Sequence, residues 1–350
     1  MNANLQQMYH YIYGNWFTMI CHVYAELDIA GLLQENSKTS DQLAEQSKTD
    51  PGALQRFLRC AGALGLHQTE PESGKLSLSE LGRLLCDSSP HSLRAAARLN
   101  GASYRYQPWG ELLHYLKTGS GEGLSPTWEH GSLDYLQDKP EQLQVFEQAM
   151  HNLGKATYHS TNENDIIAQH YDFGSSSRIL DIGCGSDALL HAILRQHQYL
   201  HGTMFDLQQV LSNVNLPTEG QALAGRLDKI AGDFYQSVPQ GYDAYIMKNV
   251  IHNHPEDRCK TILSRIRQAM LASDKPNNKR LILFELVIQD NSKNNVIAKL
   301  MDMNLNLLVG GVERTYDDFE KLLGSAGFRL STMVDLPGLE RKALTAFLET

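Results

Sequence analysis

One segment of the sequence places acidic and glycine residues where they could hold a nucleotide-like cofactor. In RILDIGCGSDALL, an apolar strand leads to Asp181, Gly183 and Gly185 and then opens a helix. A glycine turn between a strand and a helix lets the backbone approach a ligand closely, so this segment predicts a cofactor loop. Asp187 stands where a third glycine completes a G-x-G-x-G loop.

Two classes of cofactor fit this loop. The residues from Gly183 to Ala188 match the dinucleotide pattern G-x-G-x-x-A, which would take a nicotinamide or a flavin. The neighbouring acids favour S-adenosylmethionine (SAM), because Asp181 can face its cationic methionine end but would repel a pyrophosphate. Asp206 ends the next strand, where ribose hydroxyls bind, and Asp233-Phe234 offers adenine an acceptor and an aromatic face. Alternatively, Asp206 and Asp233 each cap the turn after a strand.

A second segment, AYIMKNVIHNHPEDRCKTIL, places His252 between a strand and a helix start. Open α/β sheets bind ligands at the carboxyl ends of their strands. A histidine there could accept the proton of a phenol, which would contribute a factor of about 10² to 10⁴ in rate. Glu285, inside an otherwise apolar strand, and Glu313 are placed to orient the imidazole. The alternative is that His252 is a polar residue satisfied at a strand end.

Two further polar residues of this segment have less specific interpretations. His254 is expected to be a solvated turn residue. Lys248 interrupts an apolar strand and could contact the cofactor, or it could be a surface lysine that extends its ammonium group into water.

Composition limits the classes of function. A chain of 350 residues with 42% hydrophobic residues predicts a globular protein of two domains, and no apolar run approaches the roughly 20 residues of a membrane span. The net charge of −9 argues against a nucleic-acid partner and favours a small molecule. The five cysteines are scattered without a C-x-x-C pair, so we predict free thiols and no metal site. No secretory signal is recognised, which predicts a cytoplasmic protein.

The elements that must position these residues fall into two parts. Residues 5 to 117 show helical periodicity, with helix starts at Ser40 and Pro51. The helix after Pro51 leads into HQTEPESGKLSLSELGRLL, a turn-rich ribbon that ends in another helix start, which indicates a winged helix. We therefore predict a mostly helical domain over residues 1–157 and a second domain over residues 158–350.

The second domain alternates strands and helices. Apolar strands at RILDI, GTMFDL, DKIAGDF, AYIMKNVI and RLILFELVI are separated by helical segments, which means parallel strands with crossover helices. With the later segments RLSTMVDL and ALTAFLET, the sheet has about seven strands by this count. The predicted class is α/β, a Rossmann-like sheet that follows a helical domain.

The order of these motifs resembles the small-molecule O-methyltransferases of the caffeate, acetylserotonin and hydroxyneurosporene type. The resemblance covers nearly the whole chain, from ELDIAGLL and TSDQLAEQSKTDPGALQRFLRCAGALGL through WGELLHYLKTG and DIGCGS to GDFYQSVP, MKNVIHN, FELVI and GGVERTYDDFEKLLGSAGF. It implies a class I SAM-dependent methyltransferase domain behind a winged-helix dimerisation domain, in a homodimer.

The resemblance also implies roles for individual residues. His252 would be the general base, with Glu285 and Glu313 beside it. SAM would bind near Gly183, Gly185, Asp206, Asp233, Phe234 and Lys248. A substrate pocket between the domains would be lined by Trp109, Met150, Met303 and Asn304, with Tyr104 and Tyr106 as further candidates. The implied reaction is methyl transfer to a phenol or acidic enol of an aromatic or polyketide-like metabolite.

The sequence departs from the family pattern at two places, and these keep alternatives open. Asn253-His254 replaces the usual Asp-Trp after the histidine, so that Asn253 would offer a substrate only neutral hydrogen bonds. Asp187 adds a charge at the cofactor loop, where it could pair with an ammonium group or weaken binding. The open alternatives are C-methylation, an offshoot that catalyses cyclisation, decarboxylation or hydroxylation, and a DNA-binding regulator. The last is disfavoured because its candidate recognition helix carries only Arg56 and Arg59.

Overall fold

The computed structural model describes residues 2–128, 135–136, 138–156, 163–212, 214–218, 221–289 and 296–349. Its contacts divide the chain into two compact units. One comprises Met1–Thr118 with Leu124–Ser160, and the other comprises Gly119–Gly123 with Thr161–Thr350. The predicted boundary near residue 157 falls in a segment outside the described residues. No described helix has the length and apolar character needed to cross a bilayer.

The amino-terminal unit is mostly helical. Its described helices are α1 Ala3–Ile12, α2 Gly14–Glu26, α3 Ile29–Gln34, α4 Ser40–Ser47, α5 Pro51–Ala63, α6 Glu80–Arg83, α7 Arg94–Gly101, α8 Ser103–Gly110, α9 Leu112–Thr118 and α10 Pro140–Ala156. The predicted helix starts are confirmed, and both are capped. Thr39 and Gln42 form a reciprocal capping box before α4, and Asp50 accepts a hydrogen bond from the amide of Ala53 in α5.

A short ribbon follows α5 in this unit. Strands β1 (His67–Thr69) and β2 (Leu76–Leu78) pair antiparallel, with His67 opposite Leu78. The amphipathic helices α3 to α5 bury one face each, including Leu33, Leu43 and Leu54, in a core that also contains Leu76 of the ribbon. The predicted turn-rich ribbon between two helices is therefore a β-hairpin.

The carboxyl-terminal unit is built around one mixed sheet. Its strands are β3 Arg178–Ile182, β4 His201–Asp206, β5 Leu227–Ala231, β6 Ala244–Lys248, β7 Arg280–Ile288, β8 Arg314–Thr315, β9 Phe328–Asp335 and β10 Arg341–Leu348. Its helices are α11 Glu163–His170, α12 Ala188–Gln196, α13 Gln208–Leu211, α14 Glu256–Leu271, α15 Val296–Val309 and α16 Tyr316–Ser325. Two 3₁₀ turns span Ile251–Asn253 and Pro276–Asn278.

The strand order is β5-β4-β3-β6-β7-β10-β9, with β8 paired to β7 outside this path. Strands β3 to β7 are parallel, and β10 is antiparallel to both of its neighbours. The predicted α/β class is confirmed. The sequence count of about seven strands misses β8, because two residues in a loop leave no periodic signal. The strand order reverses between β3 and β6, so the ends of β3, β4 and β6 form the crevice where such sheets bind ligands.

Candidate active site

His252 and two glutamates meet behind the carboxyl end of β6. His252 belongs to the 3₁₀ turn Ile251–Asn253, and its Nδ1 lies 2.8 Å from Oε1 of Glu313 and 3.8 Å from Oε2 of Glu285. Glu285 projects from β7 and Glu313 directly precedes β8, and both side chains are fully buried. The structure therefore brings together the three residues that the sequence singled out, with both carboxylates on the Nδ1 side of the ring.

Burial and charge act in opposite directions on this group. Burial lowers the pKa of His252, but the Glu285 and Glu313 carboxylates raise it by more, to about 8. Burial raises the pKa of Glu285 to about 7, against the opposing effect of His252. His252 and Glu285 therefore both titrate near neutral pH, as a coupled pair.

Glu285 also supports the backbone of the turn. Its Oε1 accepts hydrogen bonds from the amides of Val250, at 3.1 Å, and Ile251, at 3.0 Å. Its Oε2 and the Oε2 of Glu313 are buried and have no hydrogen-bond partner within the described parts of the chain. His252, Glu285 and Glu313 each offer one possible metal-ligand atom, and these three atoms lie within 4.8 Å of one another, a spacing that a metal ion could bridge. The hydrogen bond from His252 to Glu313 already accounts for the arrangement of Nδ1.

The segment after α15 holds the turn from the other side. The amide of Val312 donates to the carbonyl oxygen of His252 at 2.8 Å, and the amide of Glu313 donates to Oδ1 of Asp302 at 2.9 Å. Arg314 is buried and its Nη1 donates to the carbonyl of Val312 at 3.0 Å. Hydrogen bonds therefore fix both the backbone and the ring of His252.

Both glycines of the loop have a left-handed backbone conformation, which glycine adopts without strain. Gly183 and Gly185 have φ values of 68° and 62°, and a Cβ at Gly183 would lie 2.9 Å from Cγ2 of Val250. Asp206 accepts hydrogen bonds from the amides of Gly185, at 2.9 Å, and Leu207, at 2.7 Å. Asp206 therefore braces the loop across the β3–β4 crevice, in addition to capping the turn after β4.

Asp181 lies buried beneath this loop. Burial raises the pKa of Asp181 to about 7, although Lys248 opposes the shift. Its Oδ2 has no hydrogen-bond partner among the residues that the structure describes. Burial lowers the pKa of Lys248 to about 8, and its Nζ lies 3.5 Å from Oε2 of Glu163. Lys248 is thus a largely buried ion-pair residue, which argues against the alternative of a surface lysine.

Asp187 points away from the sheet. It is the N-cap residue of α12, and its Oδ2 lies 3.3 Å from Nε2 of His191 one turn later, with both side chains more than a third exposed. Its carboxylate is thus part of a surface pair. Cys184, between the two loop glycines, is partly buried, and burial raises the pKa of its thiol far above the ordinary value.

The segment after β5 forms a polar turn with an aromatic cluster. Asp233 accepts hydrogen bonds from the amide of Tyr235, at 2.8 Å, and from the Gln236 side chain, at 3.2 Å, so it caps this turn. Phe234 packs edge-on against His254, whose Nδ1 lies 2.9 Å from the Tyr235 hydroxyl. Burial lowers the pKa of His254 to about 4. His254 lies in a bend, as predicted, but it is only partly exposed because its ring packs against Phe234 and Tyr235.

The predicted substrate-binding residues lie in both units. Asn253 donates from Nδ2 to the carbonyl of Asn249 at 2.8 Å, so its amide closes the 3₁₀ turn. Met303 and Asn304 lie half-buried on α15. In the amino-terminal unit, Trp109 is half-buried on α8, and Met150 of α10 is 43% exposed. The further candidates Tyr104 and Tyr106 also lie on α8, where Tyr104 is buried.

Several residues at this site escaped the sequence interpretation. Gly311, Asp302, Asn249 and Arg341 all contact the His252 turn or its supports. Only Gly311 left a signal, as part of the glycine pair before Val312. Asn249 lies in the same segment as His252 but interrupts no pattern, whereas Asp302 and Arg341 come from distant segments that only the tertiary structure brings here.

Comparison with known proteins places this architecture among methyltransferases. Residues 109–329 match the model of the O-methyltransferase domain family. The chain is 30% identical to the phenazine O-methyltransferase PhzM of Lysobacter antibioticus, over 92% of this chain and 90% of that protein. It is 28% identical to the mitomycin biosynthesis 6-O-methyltransferase of Streptomyces lavendulae, over 91% and 87%. The structure of the mitomycin 7-O-methyltransferase MmcR superposes with a TM-score of 0.83 at 26% identity, covering 99% of this chain and 98% of that one.

The chain belongs to the O-methyltransferase domain family. It is an S-adenosylmethionine-dependent methyltransferase. The cofactor is therefore SAM and not the nicotinamide or flavin dinucleotide that the glycine loop alone also fitted. The resemblance inferred from its motifs is confirmed.

Proposed function

We propose that this enzyme methylates a hydroxyl group, a phenol or an acidic enol, of a small aromatic metabolite, with His252 as the general base. One observation carries the proposal: the ring of His252 is held through Nδ1 by a buried carboxylate 2.8 Å away. A neutral imidazole that donates from Nδ1 has its lone pair on Nε2. Nε2 is then the atom that accepts the proton of the acceptor hydroxyl.

Each glutamate has a distinct part in this proposal. Glu313 orients the ring and stabilises the imidazolium that forms when Nε2 takes a proton. Glu285 places a second carboxylate 3.8 Å from Nδ1 of His252. The amides of Val250 and Ile251 hold this carboxylate in place by donating hydrogen bonds to it. Because both groups are buried, their effect on the ring is only weakly screened.

The residues at the glycine loop fit SAM. We propose that the protein backbone approaches SAM at Gly183 and Gly185, that Asp206 binds the ribose, and that the buried Oδ2 of Asp181 accepts a hydrogen bond from the ammonium group of SAM. Asp233, Phe234 and Lys248 complete the proposed cofactor site. When bound, SAM supplies a methyl group on a sulfonium, so that an attacking oxygen gains the methyl carbon while the carbon–sulfur electrons return to sulfur. The protein's task is then to position the hydroxyl and remove its proton.

The relatives support the class of acceptor. Their names include a phenazine O-methyltransferase and a 3-amino-4-hydroxybenzoate 4-O-methyltransferase. We propose that Trp109, Met150, Asn253, Met303 and Asn304 contact such a ring.

The test is a panel of 1-hydroxyphenazine, 3-amino-4-hydroxybenzoate and hydroxynaphthoates with labelled SAM. We expect S-adenosylhomocysteine to form in a 1:1 ratio with an O-methyl product. His252→Ala should lower kcat by about 10²-fold or more while the Kd for SAM stays within about threefold. Product without S-adenosylhomocysteine would indicate a non-methylating offshoot. A methyl group on a ring carbon would indicate C-methylation. Normal turnover by His252→Ala would exclude His252 as the general base.

We also propose that residues 1–157 form a dimerisation and substrate-lid domain, and residues 158–350 the catalytic domain, in a homodimer. None of the residues of Ala3–Ile12 is buried, and Tyr11, Ile12 and Trp16 are 68%, 59% and 61% exposed. An apolar helix surface of this kind favours a partner, here a second copy of the chain.

Light scattering tests the dimer. Ile12→Glu combined with Trp16→Glu should convert it to a monomer. Leu271→Glu, which alters a 46% exposed leucine at the end of α14, should leave it dimeric. A wild-type monomer at micromolar concentration would contradict the proposal.

A further inference from the structure

The residue that joins β6 to the His252 turn has a backbone conformation that side chains rarely adopt. Asn249 has a φ of 57°, in the left-handed region, where asparagine is tolerated better than most residues but still less well than glycine. Its carbonyl accepts from Nδ2 of Asn253, and its amide donates to the carbonyl of Phe284 at 3.2 Å. A change in this one backbone conformation would redirect the whole turn that follows.

Arg341 holds the side chain of Asn249. Its Nε and Nη2 both donate to Oδ1 of Asn249, at 3.0 and 2.7 Å. Arg341 begins β10, the antiparallel strand beside β7, so the hydrogen bonds join two parts of the sheet 92 residues apart in sequence. The planar guanidinium can direct two donors at one oxygen, a geometry that the single ammonium of lysine lacks.

The carboxylate of Glu163 holds the Arg341 guanidinium in place. Its Nη1 contacts Oε1 of Glu163, the first residue of α11, whose side chain is 5% exposed. The other oxygen of Glu163 pairs with Lys248, the residue directly before Asn249. Asn249 therefore lies beside two partly buried cations, Lys248 and Arg341, that share the buried carboxylate of Glu163.

We propose that Arg341 is a positioning residue for His252, which acts by holding Asn249 in its left-handed conformation. The coupling runs from the Arg341 guanidinium through Oδ1 of Asn249 to the Asn249 carbonyl, where Asn253 closes the turn that carries His252. The proposed role of Arg341 is indirect and requires no contact with substrate or cofactor. The inference rests on the proposed role of His252 for its effect on rate, but its effect on the turn is independent of that role.

A double-mutant cycle tests the coupling. Arg341→Lys keeps the charge opposite Glu163 but loses the paired donation, and we expect kcat for the best panel phenol to fall by about 10- to 10²-fold. Asn249→Gly adopts the same φ without strain and has no side chain to hold. In that background Arg341→Lys should change kcat by less than about threefold, because the two residues act as one unit. Arg329→Lys, at an exposed arginine on β9, is the matched control and should retain wild-type kcat.

Two measurements without an acceptor complete the test. The Kd for SAM should stay within about threefold in Arg341→Lys, because the Glu163–Lys248 pair remains. The His252 ring, titrated by NMR with labelled histidine, should lose part of its elevated pKa in Arg341→Lys, because the ring moves away from Glu313. An equal loss of kcat from Arg341→Lys in both backgrounds, or an unchanged His252 titration, would overturn the inference. Normal turnover by His252→Ala would instead refute the general base and leave the NMR result to decide the positioning role.

Discussion

The carbonyl oxygen of His252 lies 2.3 Å from the position that a Cβ on Gly311 would occupy. The next amide, that of Val312, donates to this same oxygen at 2.8 Å. The two backbones can approach this closely only because residue 311 has no side chain. The segment between α15 and β8 therefore packs directly against the carbonyl oxygen of His252.

Gly311→Ala should push the His252 turn away from Glu313. We expect unfolding free energy to fall by about 1–3 kcal/mol, as for overpacking elsewhere, and kcat to fall by about 10-fold or more. Thermal unfolding and steady-state kinetics measure both. Gly324→Ala is the matched control, because a Cβ there meets nothing within 4 Å, and it should be neutral or slightly stabilising. Equal behaviour of the two variants would contradict the close approach.

The pH dependence of catalysis should follow His252. A base must be neutral to accept a proton, and the two glutamates hold the pKa of His252 at about 8 against burial, so kcat/KM for the acceptor should rise tenfold per pH unit below about 8 and then level off. Glu313→Gln removes one negative charge and should move this midpoint to lower pH while reducing kcat.

The same shift has a consequence for stability. The pKa of His252 is raised above its unfolded value of about 6.5. The protonated ring therefore adds to the free energy of unfolding fully below pH 6.5, and this contribution is lost as pH rises through about 8. Glu313→Gln should therefore cost more stability at pH 6 than at pH 9. A variant with the same deficit at both pH values would argue against the ion pair.

Asp181→Asn should separate stability from binding. Burial raises the pKa of Asp181 to about 7, so the stability of the ligand-free wild type falls as pH rises from about 4 to 7, by at most about 4 kcal/mol from this group. The asparagine variant should lack that loss and unfold at higher temperature at pH 8. It should also bind SAM at least about 10-fold more weakly if the carboxylate meets the ammonium group. Unchanged affinity by calorimetry would remove Asp181 from the cofactor site.

Asp187→Gly should change SAM affinity by less than about threefold, because the carboxylate faces His191 and solvent. His191→Ala removes the other member of the pair and should likewise change SAM affinity by less than about threefold. A large gain in affinity would mean that Asp187 impairs the loop, and a large loss would mean that it contacts the ligand.

Chelation should leave methyl transfer unchanged. The ring nitrogen between the two carboxylates is hydrogen-bonded to Glu313, and the proposed chemistry uses the other nitrogen. Activity should be equal before and after dialysis against EDTA. A loss that Zn²⁺ or Mg²⁺ restores would assign a metal to His252, Glu285 and Glu313.

Local signals identified much of this molecule from sequence. Helix starts such as Pro51 are set by neighbouring residues, and the buried parallel strands appear as short apolar runs. His252 and Glu285 stood out because polar residues in apolar surroundings need partners. Asn249 and Arg341 gave no such signal, since neither interrupts a pattern, and only the pairing of β10 with β7 brings them together. The partial burial of His254 could not be predicted, because it depends on Phe234 and Tyr235 from another strand end.

Cys184 lies between the two glycines of the proposed cofactor loop, and its position raises a problem of self-modification. A sulfonium methyl group is an electrophile, and a thiolate is the most reactive nucleophile that a protein can offer it. Burial, reinforced by Asp181 and Asp206, raises the pKa of the Cys184 thiol and so disfavours the thiolate. The two acids that we propose for the cofactor site thus also lower the fraction of Cys184 thiolate that a sulfonium methyl group could meet.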